Sequence, residues 1–275
     1  MLTAKEYRTE NKKLMEEFEI KVREWLISRG EEELADKIPY FRDGVVCPEV
    51  WFDENNDFRP LIILKEVSVG KDNISDLDEF LAIWGNQKHF EFVENPFDDV
   101  RIGRFDTWTR IARLAKGLEE IHNGSEECDY YKYDLSYKEG ELYSGDIEGY
   151  KIYKARTSNE IYENIINKIA VLEIKKIGGG RDVGTELSKA TAYYTDHIEP
   201  FKDLICRQIE LINPTVIICC GRENGGWSEN ILKEIKENTA ERLWIDGYHP
   251  RSRGAFINNF YNGPLAKYKE YIKSK

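Results

Sequence analysis

Three groups of residues have types and spacing suited to chemistry, and each directly follows a short apolar run. Glu66 and Ser68 follow Pro60-Leu-Ile-Ile-Leu64, within Lys65-Glu-Val-Ser-Val-Gly70. A carboxylate at the rim of a pocket positions a water or balances a developing cation; on an open strand end it is simply solvated. His249 follows Arg242-Leu-Trp-Ile-Asp246 and precedes Pro250, which stiffens the turn. With Arg251 and Arg253 beside it, the ring offers a nitrogen to a crevice biased toward anions, although a histidine in such a turn also serves as a hydrogen-bonded structural residue. The third group, Lys175-Lys-Ile-Gly-Gly-Gly-Arg181, follows Ile169-Ala-Val-Leu-Glu-Ile174. Gly178, Gly179 and Gly180 let backbone amides approach a phosphate, and Lys176 and Arg181 supply charge. The same composition suits a solvated flexible loop. No Gly-Lys-Ser/Thr follows the glycines and no Gly-x-Gly-x-x-Gly is present, so neither a nucleotide-hydrolase loop nor a dinucleotide fingerprint is in play.

Two aromatics belong to the same inventory. In Phe105-Asp-Thr-Trp108 either ring suits stacking on a planar base. Trp108 also falls on an apolar helical stripe with Ile111, Ala112, Leu114, Ala115 and Leu118, and so reads as core, which leaves Phe105 open.

The element that must position these groups is Asn213-Pro-Thr-Val-Ile-Ile-Cys-Cys-Gly221. Its run from Thr215 to Cys220 is too short for a helix and too uniformly apolar for a half-solvated strand, which predicts a strand covered on both faces at the centre of a parallel sheet. Upstream, Phe201, Leu204, Ile205, Ile209 and Ile212 share one helical face. The runs 60–64, 169–174 and 242–246 predict three further strands, with helices at 3–29, 76–84, 106–121, 157–167 and 228–238. The sum is an α/β/α three-layer fold on a four-stranded parallel sheet, in which ligands gather at the carboxyl ends of the strands. Residues 1–275 read as one domain. Asn123 to Arg156, rich in Tyr, Glu, Gly and Asp, reads as an insertion folded against it, because aromatics are too frequent there for a tether.

Composition narrows the function classes. A net charge of −11 argues against a broadly basic nucleic-acid coat, so any contact with phosphates must come from clustered cations. No transmembrane or signal segment is evident, which makes the cytoplasm the expected location and a membrane partner unexpected. The five cysteines include no Cys-x-x-Cys pair, and Cys219 and Cys220 fall within the central strand; they read as core residues rather than metal ligands, and no cofactor is expected.

Taken in order, the strand ending at Glu66, the strand with the Gly-rich basic loop, the stretch Leu204-Ile-Cys-Arg-Gln-Ile-Glu-Leu-Ile-Asn-Pro-Thr-Val-Ile-Ile-Cys-Cys-Gly221 and the strand with His249-Pro250 resemble the uracil-DNA glycosylase superfamily, over roughly residues 58–262. The likeness is to its less characterised bacterial branches. It implies that Glu66 orients the attacking water and that His249 hydrogen-bonds the carbonyl of the departing base. Ser68, Phe105 and Glu173 would meet the base. Lys176, Gly178, Gly179, Gly180, Arg181, Arg251 and Arg253 would meet phosphates. The partner would be DNA with its target base flipped out, and the chemistry would need no metal.

The chain departs from the family pattern at three points. Val67-Ser68 stands where the first motif has a proline, Arg251 where a serine follows His-Pro, and Glu173 where an asparagine reads uracil. An ionised glutamate only accepts hydrogen bonds, which suits an exocyclic amine better than a carbonyl and points to a modified or amino-bearing base. Two further readings stand beside this one: hydrolysis of a free nucleoside or nucleotide, which needs no basic groove, and a nucleic-acid or protein binding module that keeps the fold without the chemistry.

Overall fold

A computed structural model of the protein describes residues 2–32, 35, 43–64, 105–129, 164–174, 199–220, 232–250 and 257–275, with short paired segments at 68–69, 138–139, 146–147, 150–151, 156–157 and 179–180. The protein is α/β, built on a mixed five-stranded sheet. Its strands are β1 (Gly44–Val45), β2 (Pro60–Leu64), β3 (Ala170–Glu173), β4 (Val216–Cys219) and β5 (Leu243–Asp246). They lie side by side in the order β1-β3-β2-β4-β5. The β3-β2, β2-β4 and β4-β5 pairs are parallel, whereas β1 runs antiparallel to β3.

The sheet therefore departs from the expected purely parallel four-stranded one: Gly44–Val45, where no strand was expected, supplies a fifth, antiparallel edge strand. Two residues are too few to show any periodicity. The four longer strands fall where apolar runs predict them: β2, β3 and β4 are buried throughout, whereas in the edge strand β5 only Ile245 is buried.

The helices are α1 (Ala4–Ile27), α2 (Pro48–Trp51), α3 (Phe105–His122), α4 (Lys202–Ile212), α5 (Lys233–Asn238) and α6 (Gly263–Ser274). They divide between two cores. Leu61, Ile63, Ala170, Leu172, Ile217 and Cys219 pack toward α1, α4 and α5. Their strand neighbours Ile62, Leu64, Val171, Val216, Ile218 and Ile245 pack toward α3 and α6. This alternation is the two-residue period of a strand, and each fully buried aliphatic side chain contributes about 1.5–3 kcal/mol.

Local chemistry starts and stops these helices. At the start of α1, Glu6 N–H donates to Thr3 Oγ1 while Thr3 N–H donates to Glu6 Oε2, so two donors at the helix end are satisfied reciprocally. Its buried stripe is Tyr7, Asn11, Leu14, Met15, Phe18, Val22 and Leu26. α4 ends because Asn213 turns left-handed at φ 51°, a conformation asparagine tolerates, and Pro214 cannot continue a helix. The chain then enters β4.

Some expected elements take another form. Of the helix expected over 157–167, residues 158–163 lie outside the described residues, 164–166 are helical, and Arg156–Thr157 pairs antiparallel with Lys138–Glu139. A second short antiparallel pair joins Asp146–Ile147 to Tyr150–Lys151. The expected helix at 76–84 and the first part of the one at 228–238 lie outside the described residues. α6, for which no element was expected, covers the second core with Leu265 and Tyr268. All five cysteines are free thiols, and Cys206, Cys219 and Cys220 are buried. Among the described residues no helix is long and apolar enough to cross a membrane.

Candidate functional site

The strand order locates a crevice before any side chain is considered. From β2 the chain crosses to β3 on one side, and from β4 it crosses to β5 on the other. Adjacent parallel strands whose connections diverge leave an opening outside their carboxyl ends. In this sheet that switch point falls between the ends of β2 and β4, at Leu64 and Cys220. The ladder holds these ends level: Ile174 N–H donates to Leu64 O, Cys220 N–H to Ile63 O and Gly247 N–H to Cys219 O, each at 2.9 Å. With strands about 4.8 Å apart, the ends of β2 and β5 stand about 10 Å from one another.

Several of the residues singled out by sequence converge on this edge. Glu173 closes β3 in register with Leu64 and is 5% exposed. A carboxylate so buried at the end of a parallel strand is uncommon among solvated strand ends. His249 lies three residues past β5, half-buried, between half-buried Tyr248 and buried Pro250. After β2 and β3 the chain forms a separate short parallel pair, with Ser68 opposite Gly179 and Val69 opposite Gly180. Ser68 is thereby brought beside Gly179 of the basic loop. Phe105 opens α3, and Arg110 in that helix donates from Nη1 to Pro250 O at 2.6 Å, which ties the first turns of α3 to the His249-Pro250 turn.

Comparison with family models, with curated proteins and with solved structures gives no match. Chemistry has to be argued from the edge itself.

Glu66, Lys176, Gly178, Arg181, Arg251 and Arg253 lie outside the described residues. In the sequence Glu66 comes two residues after β2, and Arg251 and Arg253 come after His249. Two contributors that sequence does not single out hold Glu173. The Asp43 carboxylate accepts Glu173 N–H at 2.5 Å and Gln208 Nε2–H at 2.7 Å. Asn11 Nδ2 donates to Asp43 O at 3.0 Å, and Val45 N–H donates to Tyr7 Oη at 2.8 Å. Asp43 is 2% exposed and Gln208 fully buried. Burial pushes the Tyr7 hydroxyl above the usual tyrosine range, the Val45 N–H opposes that rise, and the Asp43 charge adds to it. The phenol is thus a neutral structural partner.

One signal for this network was available in sequence. Gln208 interrupts the apolar stripe of α4 between Leu204 and Ile212, and a polar residue on a buried stripe needs a partner. Among the described residues, no cluster of three or more His, Cys, Asp or Glu side chains is arranged to hold a metal ion.

Proposed function

We propose that this chain is a cytoplasmic base-releasing hydrolase of uracil-DNA glycosylase-like fold, acting on DNA at a flipped base that carries an exocyclic amine. The observation that supports the reading is the convergence at one carboxyl edge of a buried acid at the end of β3 and a histidine after β5, on either side of the topological switch point between β2 and β4.

In this mechanism the base enters the crevice with its amine toward Glu173, which accepts a hydrogen bond. The C1′–N bond breaks and its electron pair leaves with the base. His249 donates a hydrogen bond to the base oxygen where that charge collects. Glu66 orients a water that adds to C1′ of the oxocarbenium-like sugar, and the water's proton passes to the carboxylate. Ser68 and Phe105 border the base. Lys176, Gly178, Gly179, Gly180, Arg181, Arg251 and Arg253 meet the flanking phosphates. No cofactor takes part.

The test is a base-release screen over oligonucleotides with different modified bases. His249→Ala and Glu66→Gln are each expected to lower release by about 10²–10³-fold. Release at the wild-type rate from both variants would overturn the assignment, and equal release of uracil and amino-bearing bases would overturn the choice of base.

The net charge of −11 favours a second reading, hydrolysis of a free nucleoside or nucleotide, because such a substrate needs no long basic groove. Free nucleosides cleaved in preference to oligonucleotides would select it. Salt-sensitive oligonucleotide binding without base release would select instead a binding module that has lost the chemistry.

A further inference from the structure

At the opposite end of the sheet two arginines flank one threonine. Arg59 precedes β2, Thr215 precedes β4 and Arg242 precedes β5, and these three strands are neighbours in register. The arrangement is held by backbone: Arg59 N–H donates to Thr215 Oγ1 and Thr215 N–H to Arg59 O, both at 2.9 Å. Arg242 caps the end of α4, donating from Nη1 to Asn213 Oδ1 and, at 3.1 Å, to Pro214 O, and from Nε to Glu241 Oε1 at 3.1 Å.

Arg59 is different. Its Nε is buried with no hydrogen-bond partner among the described residues. Burial and the neighbouring Arg242 charge hold its pKa below the usual guanidinium range, and Asp57 only opposes them. The Asp57 carboxylate itself is 85% exposed and lies 3.1 Å from His122 Nε2. A buried donor on a cation, set beside a second cation, is an unfavourable arrangement in isolation, and a bound anion relieves both terms.

We propose that the amino edge of the sheet binds a phosphate-class oxyanion between Arg59 and Arg242, with the Thr215 hydroxyl as a third donor. The Thr215 oxygen already accepts from Arg59 N–H, so its own proton is available to the anion. Arg59 offers its guanidinium N–H groups to a tetrahedral oxyanion, and Arg242, whose Nε and Nη1 are already engaged, adds its Nη2. Arg242 already covers the carbonyl end of α4, which screens those carbonyls from the anion, and the Glu241 carboxylate on its Nε is 63% exposed to solvent. The site is separate from the carboxyl-edge crevice: β2 has five residues, so the two edges stand about 15 Å apart. That separation favours a small phosphate or phosphorylated metabolite over the backbone of DNA lying across the crevice.

The experiment uses the full chain. Thermal melts are recorded with inorganic phosphate against chloride at matched ionic strength, for wild type, Arg59→Met and Arg59→Lys. The expected result is a saturable rise of about 3–6 °C near a tenfold excess over Kd in the wild type, absent in Arg59→Met and reduced in Arg59→Lys. In the wild type the Arg59 Nε–H resonance should also move on phosphate addition, a readout that does not require either variant to fold. A short single-stranded oligonucleotide forms the second arm. Stabilisation by it that survives Arg59→Met assigns the site to a free phosphate, and its loss assigns the site to backbone phosphate. A phosphate effect undiminished in Arg59→Met, or a stationary Nε–H signal, overturns the proposal.

Discussion

Replacing Asp43 with alanine tests whether the carboxyl end of β3 is held by the buried network. The carboxylate accepts from Glu173 N–H at 2.5 Å and from Gln208 Nε2 at 2.7 Å, and the residue is 2% exposed. Truncation deletes both acceptors and leaves two buried donors. Each orphaned donor costs about 1–3 kcal/mol, which brackets the loss at about 2–6 kcal/mol. A water entering the vacated space satisfies part of this, as does the longer 3.4 Å contact from Gln208 Nε2 to Asp43 O, which survives. The expected loss is therefore about 3 kcal/mol, or roughly 6–12 °C in Tm for a chain of this size.

Urea denaturation followed by circular dichroism measures it, as a lower midpoint at unchanged slope. Because Gln208 is one of the orphaned donors, Gln208→Leu should cost less in the Asp43→Ala background than in the wild type, with a coupling of about 0.5–3 kcal/mol in the double-mutant cycle. Asp43→Ala within about 0.5 kcal/mol of wild type, the range of an unconstrained surface change, would refute the network as the support of β3.

Three other outcomes are expected. Gly44→Ala should cost more than about 3 kcal/mol in thermal melts, because a Cβ there would meet Tyr7 Oη at 2.1 Å on a backbone at φ +136°, a conformation strained for any L side chain; a wild-type Tm would contradict it. Arg110→Met removes the donor to Pro250 O and should lower base release about tenfold with a stability change near 1 kcal/mol, so unaltered release would detach α3 from the site. For Glu119, burial raises the carboxyl but Lys116 and Lys168 outweigh it, leaving the pKa below the usual glutamate range. A folded-state pKa depressed in this way adds stability above the unfolded value, about 4.3, that is lost as pH falls through the folded one. Glu119→Gln should accordingly flatten the decline of urea-derived stability below about pH 4.3, and an unchanged acid limb would count against the Lys116-Glu119-Lys168 arrangement.

Much of the scaffold was legible because its signals are local. Leu61 to Leu64, Ala170 to Leu172 and Val216 to Cys219 are apolar without alternation, which is what burial on both faces demands. α1, α3 and α4 carry their core contacts at three- and four-residue steps. At the start of the helix expected over 157–167, Thr157 is extended because it pairs with Lys138, a partner 19 positions away that no local pattern announces, whereas 164–166 are helical. β1 carried no readable pattern, since it is a strand only through its pairing with Val171 and Ala170.

What the amino-acid order determined by itself was the set of buried strands, the faces of three helices and the positions of Glu173 and His249 just where strands end, because helical and strand periods are written in neighbouring residues. Tertiary structure alone decided that β2 lies between β3 and β4, that Asp43 and Gln208 meet 165 positions apart in the chain, and that Arg59 comes to lie across Thr215 from Arg242. Those relations depend on which surfaces pack once water is excluded, and no local pattern encodes which distant partner a buried donor or charge will face.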